Sequence, residues 1–162
     1  MVSAYNYISR DPGRLYHTKG KPYQSDMFSE GCDFIDHVSG YVNIKHQVTI
    51  KATETVKAKI TFEREAKSKE VVIKVYHTDN GIFNASEFMD ELLKKKQNIR
   101  FSGAGASYKN VESYRAIKAV VTVARTMLMQ AALRCPEDTF SIDLWPMSMD
   151  YSVWFYNRIL DI

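Results

Sequence analysis

Apolar and polar positions change their period several times along the 162 residues. Residues 2–8 alternate imperfectly but are rich in strand formers, and Asp11-Pro12-Gly13 supplies turn chemistry expected to end that strand. The mixture of Gly, Pro, Ser and Lys over residues 13–31 has no period and predicts a long loop. Residues 32–38 and 41–48 are strand candidates on either side of Ser39-Gly40, a turn short enough to join them as an antiparallel hairpin.

Residues 53–69 then take a helical period, with Thr53 placed to cap and Val56 and Ile60 four apart on one side. The apolar run at residues 71–76 predicts a buried strand, and a helix between two strands is the crossover that a parallel neighbour needs. Asp79-Asn80-Gly81 breaks that strand. Residues 84–96 predict a helix with Phe88, Leu92 and Leu93 inward, and residues 99–102 a short strand. After a Gly-rich connection beginning at Gly103, Tyr114, Ile117, Val121, Ala124, Leu128 and Ala131 fall three or four apart, the stripe of a long helix. Pro136 ends it, and residues 141–160 form a final helix, kinked or started near Pro146 and dense in aromatics. The expectation is an α/β chain with a five-stranded mixed sheet flanked by helices, and the order of elements matches the ribonuclease H-like fold.

Composition narrows the class. A chain of this length is sized for one domain, residues 1–162, and 45% hydrophobic with 25% charged residues excludes wholesale disorder and fibrous repeats. The excess of Lys and Arg over Asp and Glu is only three, too small to imply nucleic-acid binding from global charge. Cys32 and Cys135 belong to no CxxC or Cys/His cluster, and His17, His37, His46 and His77 lack paired ligand spacing, which argues against a disulfide scaffold and structural zinc. No signal-peptide core opens the chain, and the most apolar stretch, residues 116–133, is interrupted by Lys118, Arg125 and Gln130. A soluble intracellular protein without membrane insertion is expected.

Several segments carry a more specific signal. Val75-Tyr-His-Thr-Asp79-Asn-Gly81 before a helix resembles the strand-end motif holding the second catalytic aspartate of retroviral and retrotransposon integrases. Phe34-Ile-Asp36-His-Val-Ser-Gly40-Tyr resembles that family's second strand and turn. Phe101-Ser-Gly-Ala-Gly-Ala, Arg115-Ala-Ile-Lys118 and Ala124-Arg-Thr-Met-Leu-Met129 resemble the later strand, loop and long helix of copia-type retrotransposon integrases, and Asp143-Leu-Trp145 and Tyr156-Asn-Arg158 extend the similarity almost to the end. The resemblance implies an integrase catalytic core without the family's zinc-binding N-terminal domain, and a nuclear location.

Family chemistry uses two aspartates and a glutamate to hold paired divalent metal ions for phosphoryl transfer. Only Asp79 matches. The first aspartate aligns with Ser3, and no carboxylate precedes Asp11; the glutamate aligns with Tyr114. Glu112, followed by Ser113, is the alternative glutamate, but two positions on a helix differ by roughly 200° in direction. Asp79 is therefore read either as a residual metal ligand or as a turn former before Asn80-Gly81, and Asp36 as a turn carboxylate that an active site could recruit. Lys109, Arg115, Lys118 and Arg125 stand where a related integrase would approach DNA, although a solvated face explains them equally. The expected function is a degenerate integrase core, a pseudoenzyme with no cofactor that acts as a binding or structural subunit. The alternative is an active magnesium-dependent integrase using Asp79, Glu112 and Asp36. The resemblance also implies a homodimer or larger protein complex, for which Trp145, Tyr151, Trp154, Phe155 and Tyr156 offer apolar area.

Overall fold

The computed structural model describes residues 1–15, 27–102, 111–135 and 141–159. Strands β1 (Val2–Gly13), β2 (Phe28–Asp36), β3 (Val42–Gln47), β4 (Val75–Thr78) and β5 (Asn98–Phe101) form one sheet in the order β3-β2-β1-β4-β5. The first three pair antiparallel, while β4 lies parallel to both β1 and β5. Helix α1 (Ala52–Ser68) makes the crossover from β3 to β4, and α2 (Ser86–Lys94) the one from β4 to β5. Helices α3 (Val111–Arg134) and α4 (Trp145–Ile159) complete the chain.

Alternation along the strands sorts side chains to two faces. Val2, Ala4, Cys32 and Phe34 pack with Phe62 of α1 and with Phe88 and Leu92 of α2. Phe34 and Phe62 stack with centroids 4.4 Å apart. On the other face Ile35, Val42 and Ile44 pack with Ala116, Val120 and Ala124 of α3 and with Trp145 and Met149 of α4. The hairpin turn is held by Asp36, whose carboxylate accepts hydrogen bonds from the Ser39 amide (3.1 Å) and hydroxyl (2.8 Å). Gly40 has φ 69°, the left-handed region that glycine enters without a Cβ clash.

A buried polar knot joins α1 to the sheet. Lys59, fully buried, donates to Glu63 and Gln97, each at 2.8 Å, and Glu63 also accepts from Lys95, Tyr76 and Gln97. Burial pushes the Glu63 carboxyl up, but the donors outweigh it and hold the group below its usual range.

Several boundaries depart from the sequence expectation, each for a packing reason. Asp11-Pro12-Gly13 does not end β1; the register shifts between Ile8 and Gly13 and the strand continues. The Trp145 indole N–H donates to the Asp11 carbonyl (2.8 Å), and a Cβ on Gly13 would collide with Trp145 and Pro146, so a distant helix holds this segment extended. β2 begins at Phe28, earlier than residue 32. Thr53 is not the cap of α1, which follows Lys51, and its buried face is Thr55, Ala58, Lys59 and Phe62, leaving Ile60 exposed. The apolar run at 71–76 yields strand only from Val75. Val71 and Val72 are exposed because the Val71 amide closes the end of α1 on the Ala66 carbonyl, after Glu70 at φ 62°. α2 starts at Ser86 behind a 3₁₀ turn at Ile82–Asn84, with Leu93 outward. In α3 small residues face the sheet, Ser113, Ala116, Val120 and Ala124, and Tyr114 is 66% exposed. The stretch Ser113–Arg134 is long and apolar enough to cross a membrane by length and composition alone, yet here those small residues pack on the sheet.

Candidate functional site

Parallel pairing of β1 with β4 sets Ser3 opposite His77, and pairing of β4 with β5 sets His77 opposite Arg100. Ser3 also pairs with Ile35 of β2, two residues before His37. Period-two alternation therefore brings Ser3, His37, His77 and Arg100 to the sheet face that carries α3 and α4.

The resulting contacts are specific. Ser3 is fully buried, and its hydroxyl lies 2.6 Å from His37 Nε2. The His37 and His77 rings stand edge to face at 6.4 Å, and His77 Nε2 lies 3.2 Å from the Ser102 hydroxyl. Burial lowers the His77 pKa, and neighbouring His37 and Arg100 lower it further. Asp79 follows the end of β4, exposed, and its Oδ1 accepts from the Gly81 amide at 3.2 Å. Asp36 is engaged in the hairpin turn, 3.8 Å from the N-terminal ammonium.

Around Ser113, positions 112 and 114 diverge by about 100° to either side of the helix. Tyr114 points to solvent, while the Glu112 side chain, like Lys109, lies outside the described residues. Arg115, Lys118 and Arg125 are all exposed within an arc of roughly 80° on α3.

A magnesium pair demands hard oxygen ligands in near-octahedral geometry. The described side chains at this strand end provide one carboxylate, two hydroxyls engaged with imidazoles, two imidazoles and a guanidinium. Among the described residues no three His, Cys, Asp or Glu side chains form a group able to hold a metal ion. This set does not fit a paired magnesium centre.

Sequence reasoning missed the pairing of Ser3 with His37, the place of Arg100, and Asp33. Each was open to a period-two reading: His37 and Asp33 flank the inward Ile35 at two residues' distance. Asp33 is 2% exposed under α3 and α4, and its Oδ1 has no hydrogen-bond partner. Burial pushes its carboxyl up to about 8. The terminal aromatics divide. Trp145 is core, whereas Tyr151, Trp154 and Phe155 are exposed, with Tyr151 and Trp154 stacked at 5.5 Å and Arg158 3.7 Å above the Trp154 ring.

No family model and no curated protein matches the chain. Solved structures do. The integrase catalytic core of HTLV-2, in complex with magnesium in a trimeric form, aligns at TM-score 0.58 and 15% identity over 94% of this chain and 81% of its own. The BIV integrase core gives 0.60 at 10% identity, over 94% and 79%. A chain of the simian T-cell lymphotropic virus intasome, in complex with the B56 gamma regulatory subunit of PP2A, gives 0.59 at 12%, over 94% of this chain and 46% of its own. Such identities establish architecture: the chain has the ribonuclease H-like fold of retroviral integrase catalytic cores.

Proposed function

We propose that this chain is a degenerate integrase core-like domain, of the kind copia-type retrotransposons carry, that has lost metal-dependent strand transfer and acts as a binding or structural subunit. The observation that carries it is the pairing of Ser3 with His37 where the resemblance calls for a carboxylate, beside His77 and Arg100. The Arg100 guanidinium at that point opposes two divalent cations. Self-association is part of the same reading: the integrase neighbours include trimeric and dimeric forms, and α4 presents Tyr151, Trp154, Phe155 and Ile159 to solvent.

Calorimetric titration of the chain with magnesium tests the proposal. The expected result is no stoichiometric binding below about 1 mM. Tight binding that disappears in Glu112→Gln would establish the opposite reading, an active integrase with Asp79 and Glu112 as ligands.

A further inference from the structure

The far part of β1, beyond Ser3 on the same strand, borders a second feature. Among the described residues, Tyr7 to Asp11, Asp33, α3 and the start of α4 enclose a cleft of about 410 Å³, within the size range of small-molecule sites. Its walls are apolar: Ile117, Val121 and Leu128 on one side, Trp145 and Met149 on the other. The polar side chains along it are largely committed. The Tyr7 hydroxyl lies 2.6 Å from His46 Nδ1, Trp145 donates to the Asp11 carbonyl, and Ser148 donates to the Ala124 carbonyl at 2.8 Å. Among the buried ones Asp33 is the exception, since its Oδ1 has no partner.

A buried carboxyl oxygen left without a donor is costly, so this atom marks where a ligand group belongs. Because burial holds Asp33 largely protonated at neutral pH, it offers a donor and an acceptor side by side, the complement of a nucleobase edge. Arg10 and Arg125, both exposed, border the cleft with Asp11, an excess of one positive charge. Guanidinium forks suit phosphate oxygens.

We propose that this cleft binds a nucleoside monophosphate, with the base between the apolar walls and its edge on Asp33, and the phosphate at Arg10 and Arg125. The site is independent of the metal question at Ser3.

The test is calorimetric titration of the full chain, in EDTA, with AMP, GMP, CMP and UMP, and with the best-binding nucleotide's nucleoside and inorganic phosphate as controls. At least one nucleotide should bind with Kd below about 1 mM, and its nucleoside and phosphate alone at least about tenfold more weakly. Asp33→Leu and Arg125→Ala should each weaken the nucleotide by about tenfold or more. Arg125 is exposed, so its variant stays informative even if the Asp33 variant loses its fold. Absence of nucleotide binding, undiminished binding to folded Asp33→Leu or to Arg125→Ala, or phosphate alone binding equally well would overturn the assignment.

Discussion

Replacing Asp33 by Asn should change how stability depends on pH. In the unfolded chain its carboxyl titrates near 3.8, and in the folded chain burial raises it to about 8. The native state therefore holds a proton that the unfolded state releases between those values. Stability from this group is complete below pH 3.8, falls as pH rises, and levels off above about 8. Each pH unit in the window costs about 1.4 kcal/mol, so the full span costs about 6 kcal/mol and neutral pH already carries about 4. That is large beside the ~5–15 kcal/mol by which domains are stable. Asn removes the titration; its unmatched amide adds a penalty of about 1–3 kcal/mol that does not vary with pH. Urea unfolding of both proteins at pH 5, 6, 7 and 8 isolates the effect, since other titrating groups are common to both. The parent should lose about 4 kcal/mol relative to Asp33→Asn across that range. Parallel stability profiles would show that Asp33 is solvated or paired and would refute the reasoning.

Glu63→Gln should destabilise the fold by about 3–5 kcal/mol in the same assay, because it leaves buried Lys59 without its carboxylate. Ser3→Asp with Tyr114→Glu should create a manganese affinity measurable by calorimetry that neither single variant has, and adding His37→Ala should strengthen it by freeing the introduced carboxylate from imidazole. Sedimentation at high micromolar concentration should show a dimer or larger species that Trp154→Glu disperses, and a strict monomer would remove the self-association reading. If α3 meets DNA, alanine at Arg115, Lys118 and Arg125 together should lower the salt slope of duplex binding by about three.

The parts of the fold legible in the sequence are those where local chemistry and burial agree. Ser39-Gly40 sits between two alternating runs, and the structure adds Asp36 as the group that fixes the turn. The parts that were not legible depend on partners far along the chain. Nothing within Asp11-Pro12-Gly13 reveals that Trp145 will hold it extended. Nothing in the valines at 71 and 72 reveals that the Val71 amide is used to close α1. In α3 the expected stripe holds in part, since Ala124 is buried and Ile117, Val121 and Leu128 pack half-buried against the same core, but Tyr114 is exposed: a helix approaches a sheet more closely on small residues, and Ala116 and Val120 take buried positions beside Ala124.

That shift of seam changes what Tyr114 can mean. An exposed tyrosine contributes little to the core, so the reading that it replaces a glutamate does not require it to be there for packing, and Tyr114→Glu should be tolerated by the fold. Ser3 is the opposite case. It is fully buried, and a carboxylate in its place would meet His37 before it met a metal ion. The two positions are therefore unequal barriers to restoring metal chemistry: one is an open surface substitution, the other is tied into a polar contact across β1 and β2. A chain in which only Tyr114 differed would stand one substitution from a ligand set; the contact between Ser3 and His37 buries the other position, and a metal centre restored there gains strength when the His37 imidazole, just past the end of β2, yields as well.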